Sequence, residues 1–128
     1  MAKMTLLQWR RRWLHWVWWC ALCLVIAGQL SPATSPLMRA IGALDINDKV
    51  MHFGAYLLLS LLPMISLESR RRAMVTGVLM ALLGVALEGG QSFSPGRDVS
   101  LGDIMANNLG VICGLLAGLP LRSRLIII

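Results

Sequence analysis

Four long apolar segments follow one another along the chain, and short polar stretches separate them. They cover about residues 13–30, 49–67, 73–91 and 101–121. Each is close to the roughly 20 residues that an α-helix needs to cross the hydrocarbon core of a bilayer. The pattern therefore predicts an all-α integral membrane bundle of four transmembrane helices, formed as a single domain over residues 1–128.

The composition favours a membrane protein over a soluble all-helical domain. Hydrophobic residues make up 57% of the chain and charged residues 14%, and the mean hydropathy is +0.70. A soluble domain carries about 25% charged residues. The basic head and first apolar run also resemble a signal peptide, but this run is long, rich in tryptophan and followed by no clear cleavage site. We therefore expect it to be retained as the first span.

The first connection, residues 31–47, predicts a short helix of its own. Ser35 followed by Pro36 is typical of an N-cap and the first helical position. Apolar side chains then recur on one helical face, which favours a helix lying along the membrane surface in the first outer loop. These side chains are Leu37, Met38, Ile41 and Leu44. Asn47 is a candidate cap for the second span.

Small residues recur every three or four positions in the third and fourth spans. Such stripes let helix backbones approach closely and indicate packing seams. In the fourth span the stripe is Gly102, Ala106, Gly110, Gly114 and Gly118. In the third span it is Gly77, Ala81 and Gly84, followed on the same face by the polar residues Glu88 and Gln91.

Basic residues are divided unequally between the two ends of the predicted bundle. Nine lie in the termini and in the turn between the second and third spans: Lys3, Arg10, Arg11, Arg12, Arg70, Arg71, Arg72, Arg122 and Arg124. Three lie in the two opposite loops: Arg39, Lys49 and Arg97. The positive-inside rule therefore predicts that both termini are cytoplasmic. The start of the second span, the end of the third and the start of the fourth then face outward.

This topology brings one set of polar side chains together at the outer end. Its members are Asp48, Lys49, His52, Glu88, Gln91, Arg97, Asp103 and Asn107. Polar groups beside or inside a bilayer are expensive and are rarely kept without a use. We therefore interpret the set as a functional site, held in a cleft between closely packed helices.

The start of the fourth span predicts an anion site. Ser100 and Asp103 fit a capping box with Asp in place of the usual Glu, and a helix N-terminus offers unpaired N–H groups to an anion. Arg97 precedes this helix and Lys49 begins the second span, so we expect both to hold the phosphate or pyrophosphate of a lipid head group. Alternatively, a neighbouring carboxylate neutralises Arg97. The candidates are Asp98, Asp103 and Glu88.

His52, Glu88 and Asp103 are the candidate acid–base groups. Histidine titrates near neutrality, and a carboxylate beside it could share proton transfer on a phosphoester. The same groups could instead form a hydrogen-bond network that locks three helices, with Tyr56 as a buried donor and Gln91 and Asn107 as neutral partners. A metal held by His52, Glu88 and Asp103 is a further alternative. No ligand spacing demands it, so we predict neither a metal nor a cofactor.

Three short motifs occur in order between residues 45 and 120. They are D-K-x-x-H-F-x-x-Y from Asp48 to Tyr56, E-x-x-Q from Glu88 to Gln91, and R-x-x-S-x-x-D-x-x-x-N-x-x-G from Arg97 to Gly110. Together they resemble the VanZ-like family of small bacterial membrane proteins, whereas residues 1–44 match no motif of that family. The resemblance implies a bundle of about four transmembrane helices. The family's namesake is associated with low-level resistance to teicoplanin, which supplies no reaction for this chain.

The resemblance also implies which residues form the site. The family's motif positions correspond here to Asp48, Lys49, His52, Tyr56, Glu88, Gln91, Arg97, Ser100, Asp103, Asn107 and Gly110. We expect a protein of the bacterial inner membrane that binds an anionic envelope lipid or lipid-linked cell-wall precursor at its outer face. Its partners would be membrane lipids, polyprenyl-phosphate-linked ones among them, and not nucleic acid.

Other functions are compatible with the sequence. A non-enzymatic assembly protein would use the polar cluster to hold its helices together, and it would use its stripes of small residues to bind a partner or a second copy. A small transporter would use His52 and Glu88 as a proton relay, but no charged residue lies at the middle of a span, where transport sites usually are. Whether the protein is an enzyme is a question that the sequence leaves open.

Overall fold

The protein is a bundle of helices in the computed structural model, which describes residues 5–126 and the side chains as far as residue 125. The helices are α1 (Leu6–Leu30), α2 (Pro36–Gly42), α3 (Asp48–Ser66), α4 (Arg70–Gln91) and α5 (Leu101–Ile126). The described part of the chain contains no β-strand. All except α2 are long and apolar enough to cross a membrane. The predictions of an all-α fold and of a multi-pass membrane protein are confirmed. Lys3, counted above among the basic residues, and the two C-terminal isoleucines lie outside the described residues.

The helix ends follow capping groups rather than the limits of the apolar runs. Helix α1 begins at Leu6, well before the predicted residue 13, because Thr5 and Gln8 form a reciprocal capping box that brings the basic head into the first turns. In α2, the Ser35 hydroxyl accepts the N–H of Met38, and Pro36 occupies the first turn. Asn47 caps α3 by accepting the N–H of Lys49 at 3.0 Å. The short helix in the first connection and both caps are confirmed.

Helix α3 is the centre of the bundle, because it contacts α1, α4 and α5. The buried apolar core lies where these four helices meet. It consists of Leu22 from α1, Tyr56 and Leu59 from α3, Met80 from α4 and Val111 from α5. Most other large apolar side chains of the four long helices are exposed in the isolated chain, as expected for surfaces that face lipid.

The glycine stripe of α5 forms the seam with α3. A Cβ atom added at Gly110 would collide with the carbonyl oxygen of Phe53, and one added at Gly114 would collide with that of Leu57. Gly77 of α4 also packs against α5, since its Cβ would be 2.8 Å from the Leu115 side chain. The predicted stripes therefore pack helices against each other within one chain. Interaction of a second copy with these stripes stays a prediction.

A side chain of α1 donates a hydrogen bond to a backbone carbonyl of α3 that Pro63 leaves without a partner. Pro63 has no N–H, so the carbonyl of Leu59 lacks its partner four residues later in the helix. The indole Nε1–H of Trp18 donates to this oxygen at 2.8 Å. Neighbouring helices commonly satisfy the backbone groups that a proline frees inside a membrane span. This bond also fixes the position of α1 beside α3.

The two ends of the bundle differ in chemistry. At one end Arg11 pairs with Glu68 at 3.0 Å, and Arg122 donates to the carbonyl of Met64 at the C-terminus of α3. At the opposite end, Ser94 in the loop between α4 and α5 donates to the carbonyl of Leu30 at 2.8 Å. The ends of α1 and α4 therefore lie beside the starts of α3 and α5, which is the grouping that the topology predicts.

Candidate functional site

His52 is the centre of the polar cluster. It lies one turn into α3 and only 6% of it is exposed. Its Nδ1 atom lies 2.9 Å from Asn107 Oδ1 on α5 and 3.1 Å from Gln29 Nε2 on α1. Its Nε2 atom lies 3.9 Å from Asp48 Oδ1 and 3.8 Å from Asp103 Oδ2. The imidazole therefore joins three helices through one nitrogen and faces two carboxylates with the other.

Gln29 and Tyr56 extend this network toward the membrane interior. The buried Tyr56 hydroxyl donates to Gln29 Oε1 at 3.1 Å. The sequence predicts Tyr56 as a buried donor, and the structure adds Gln29 as its partner. Gln29 is the last polar residue of a long apolar run, and that isolation is a signal that could have identified it.

Asp103 is shared between His52 and a lysine. Its Oδ1 atom lies 3.3 Å from the Lys49 ammonium, while Oδ2 faces His52. The Lys49 side chain is 60% exposed and extends across the first turn of α5 at Gly102, whereas the Asp103 side chain is nearly buried. Lys49 is thus already paired with a carboxylate on the neighbouring helix.

Glu88 is attached to the start of α5 rather than to His52. Its Oε1 atom accepts the backbone N–H of Ser100 at 2.7 Å. The Ser100 hydroxyl in turn accepts the N–H of Asp103 at 3.2 Å, which confirms Ser100 as the predicted N-cap. In a capping box the residue at the position of Asp103 would accept the N–H of the cap. Here Glu88 takes that role from another helix, and the Asp103 carboxylate is left to face Lys49 and His52.

Several buried polar atoms of the cluster have no hydrogen-bond partner. Among the described residues these are Glu88 Oε2, Gln91 Nε2 and Asn107 Nδ2, with Ser60 Oγ further along α3. All of these side chains are almost completely buried. Unsatisfied groups of this kind are costly and call for water, an ion or a ligand.

A cavity of about 230 Å³ opens beside His52, between α1, α2 and α3. Its polar lining residues are Gln29, Asp48, His52 and Arg97. Its apolar lining residues are Leu24, Val25, Gly28, Met38, Ile41, Leu44, Met51 and Ala55. Met38 and Ile41 of the apolar face predicted for α2 form part of the cavity wall, and Leu44, which the sequence placed on the same helix, lines it from beyond the end of α2 at Gly42.

Arg97 has no acidic partner. Across residues 5–126, none of the ion pairs involves its guanidinium, although Asp98 is its neighbour in sequence. The three pairings considered from the sequence do not form, because Glu88 binds the Ser100 N–H and Asp103 faces Lys49 and His52. Arg97 instead lines the apolar cavity, partly buried.

The predicted residues thus separate into two groups. Asp48, His52 and Asp103 bring their ligand atoms within 4.8 Å of one another, with Lys49 and Asn107 in contact with them. Glu88 and Ser100 form a helix cap, Gln91 is buried without a partner, and Tyr56 holds Gln29. The metal set considered from the sequence, with Glu88, is not the one assembled, because Asp48 takes the place of Glu88.

The geometry allows two kinds of chemistry. An unpaired guanidinium beside an apolar cavity suits an amphiphile with an anionic head. A histidine between carboxylates suits proton transfer or cation binding. No protein-family model, curated protein or solved structure matches this chain.

Proposed function

We propose that this protein is a VanZ-like component of the bacterial cytoplasmic membrane. It binds the phosphorylated head group of an envelope lipid, or of a lipid-linked cell-wall precursor, at the outer face. The observation that carries the proposal is Arg97, which lines the cavity and pairs with no carboxylate among the described residues. An arginine fork matches the oxygens of a phosphate and forms strong charge-assisted hydrogen bonds with them.

The shape and composition of the cavity support an amphiphile over a soluble anion. A volume of about 230 Å³ is smaller than the roughly 300–1,000 Å³ of pockets that enclose a drug-sized ligand. Leu24 and Leu44 line the cavity and are also more than half exposed, so the cavity is continuous with the apolar surface. A lipid would therefore place in the cavity only the part of its hydrocarbon chain that is next to the head group. The remainder of that hydrocarbon chain would lie along the apolar surface of the bundle.

The distribution of basic residues supports placing the cavity on the outer side of the membrane. Among the described residues, eight basic side chains belong to the end opposite the cavity and three to the same end. The cytoplasmic side of a membrane protein carries the excess of lysine and arginine. The cavity and Arg97 then face the compartment in which cell-wall precursors are used.

The proposed roles differ from residue to residue. Arg97 binds the phosphate, and Gln29 and His52 provide polar contacts in the wall of the cavity. Glu88 and Ser100 maintain the start of α5 and are not ligand groups. His52 and Asp103 are the acid–base pair at hand, should the bound phosphoester also be processed.

The test is native mass spectrometry of the purified protein with a polyprenyl phosphate and with bacterial phospholipids. We expect the wild type to retain a phosphorylated lipid and Arg97→Ala to retain it about 10- to 100-fold less, the worth of a hydrogen bond to a charged group. Arg39→Ala is the matched control, because it removes an exposed positive charge at the same end without touching the cavity. A shifted lipid mass would indicate chemistry.

Two results would contradict the proposal. The first is the absence of any selectively retained lipid, and the second is equal retention by the wild type and Arg97→Ala. Either would favour a non-enzymatic assembly role, in which the buried network around Glu88 and His52 only holds the helices together.

A further inference from the structure

We propose that Asp48, His52 and Asp103 bind one divalent transition-metal cation, Zn²⁺ or Mn²⁺. Each residue offers one ligand atom, and these atoms lie within 4.8 Å of one another. Metal binding itself does not depend on the lipid-binding function proposed above. The role of the cation in binding the lipid phosphate rests on that function.

The distances from His52 Nε2 to its two neighbouring carboxylates fit a cation better than a hydrogen bond. Its separations of 3.9 Å from Asp48 and 3.8 Å from Asp103 exceed the 2.7–3.2 Å of an N–H···O hydrogen bond. Ligands bound at about 2.1 Å in a tetrahedral zinc site lie roughly 3.4 Å apart. The three side chains therefore need to move inward only by about half an ångström to surround one ion. The distances from Nε2 to the two carboxylate oxygens are too long for a shared proton and close to those between the ligands of one bound cation.

The histidine of this cluster is nearly buried. His52 is only 6% exposed, and its Nε2 atom makes no hydrogen bond with any residue between 5 and 126. The nearly buried imidazole thus directs Nε2 toward two carboxylates that both lie beyond hydrogen-bond distance, an arrangement that leaves room for a cation between the three side chains.

The side chains at Nδ1, the second ring nitrogen of His52, orient the imidazole for a metal. Metal-bound histidines usually donate their second ring N–H to a carbonyl or carboxylate, which fixes the tautomer. The Nδ1 atom of His52 has Asn107 Oδ1 at 2.9 Å and the Gln29 side-chain amide at 3.1 Å. Asn107 Oδ1 can therefore accept a proton from Nδ1, which leaves the lone pair on Nε2 for the ion.

The donor set selects the kind of cation. Imidazole suits zinc and other transition metals, whereas an all-oxygen site suits magnesium or calcium. One nitrogen and two carboxylates form a three-residue site with coordination positions left for water or a ligand, as in catalytic zinc sites. The Lys49 ammonium, which lies 3.3 Å from Asp103, is the competing cation. Its side chain is 60% exposed and can turn away.

The cation would complete the lipid site. Asp48 lines the cavity together with Arg97, and a lone carboxylate there repels a phosphate. A divalent ion on Asp48 reverses that charge and gives the phosphate a second positive partner across from Arg97. The metal thus explains why two carboxylates belong to a site for an anion.

The test uses the full chain in detergent, with any affinity tag removed and with metal removed by a chelator. Binding of Zn²⁺ is measured by competition with a chromophoric chelator, and binding of Mn²⁺ by electron paramagnetic resonance. We expect one ion per chain and at least about tenfold weaker binding in Asp48→Asn. Asp48 is 60% exposed, so this variant is expected to fold. Asp98→Asn, an exposed acid outside the cluster, is the matched control.

Two further variants separate a metal site from a salt bridge. Lys49→Met removes the competing cation and is expected to tighten binding severalfold. His15→Gln leaves His52 as the sole histidine of the chain, so that ¹⁵N NMR reports its tautomer directly. Metal should place the proton of His52 on Nδ1.

Failure of the metal proposal is distinguishable from failure of lipid binding. Absence of saturable binding, equal affinities of Asp48→Asn and Asp98→Asn, or weaker binding in Lys49→Met would overturn the metal site. Saturable metal binding in a protein that retains no lipid would leave the metal site intact and overturn only the lipid proposal.

Discussion

A single carboxylate, that of Glu88, connects the end of α4 to the start of α5. Its Oε1 atom accepts the N–H of Ser100, and the residue is completely buried. A negative charge at a helix N-terminus also interacts favourably with the helix dipole. The first turn of α5, which carries Asp103, is therefore positioned by a residue that contacts neither the cavity nor His52.

This role predicts the effect of removing the carboxylate. Glu88→Ala would leave the Ser100 N–H unsatisfied, and we expect it to lower the free energy of unfolding by about 1–3 kcal/mol. Glu88→Gln should recover most of the loss, because its amide oxygen can still accept this bond. The measurement is unfolding by SDS in mixed micelles.

The control is Glu68→Ala at the other end of the bundle. The Glu68 side chain is 88% exposed, so its ion pair with Arg11 is expected to contribute about 0–1 kcal/mol. Equal effects of Glu88→Ala and Glu68→Ala would contradict the assignment of Glu88 as a cap.

At the scale of the helices, α1 and α3 are joined where the backbone of α3 is incomplete. Pro63 frees the Leu59 carbonyl, and the indole of Trp18 fills the missing position at 2.8 Å. The seam between α3 and α5 uses the opposite device, since glycines remove side chains so that backbones approach. The hydrogen bond from Trp18 to Leu59, called the brace below, and the glycine seam thus hold α3 between α1 and α5.

The brace predicts a non-additive pair of substitutions. Trp18→Phe should destabilise the protein by about 1–3 kcal/mol, because it leaves a buried carbonyl unpaired. In a Pro63→Ala background the new N–H can bond to Leu59, so the same substitution should cost clearly less. Unfolding of the two single variants and the double variant in mixed micelles gives the coupling energy.

Trp16→Phe is the control for loss of an indole. Trp16 is 67% exposed and its substitution should change stability by less than about 0.5 kcal/mol. Strict additivity of Trp18→Phe and Pro63→Ala would show that the hydrogen bond is not a substitute for the one that proline removes.

At the scale of the whole molecule, the bundle has one basic end and one end with the cavity. Five of the six acidic residues of the chain, all except Glu68, belong to the cavity end. The basic end holds most of the arginines, and Arg11 and Arg122 bind groups at the C-terminal end of α3 there. By the positive-inside rule, such a division predicts that the basic end faces the cytoplasm.

The orientation predicts which positions can be labelled from outside. In a variant without Cys20, Cys23 and Cys113, we expect Phe93→Cys to react with a membrane-impermeant maleimide on intact spheroplasts. Phe93 is 90% exposed in the loop between α4 and α5. Ser123→Cys, an exposed position at the end of α5, should react only after the membrane is disrupted. The reverse labelling pattern would move the cavity to the cytoplasmic side.

The sequence by itself determined the number and type of the long helices, the caps at Ser35, Asn47 and Ser100, and the small-residue seams. These features depend on local interactions and on periodicity along one helix, which the order of residues contains directly. The pattern also placed the starts of α3 and α5 and the end of α4 at one end, because consecutive membrane spans run in opposite directions.

Only the tertiary structure decided which polar groups meet. Glu88 and Asp103 are both acids at the same end, but the rotation of each helix about its axis directs Glu88 to Ser100 and Asp103 toward Lys49 and His52. Gln29 joins the network from a helix whose sequence shows no other polar residue nearby. Contacts between helices depend on axial rotation and on the fit of side chains over many positions at once, and these quantities are fixed by packing the whole bundle.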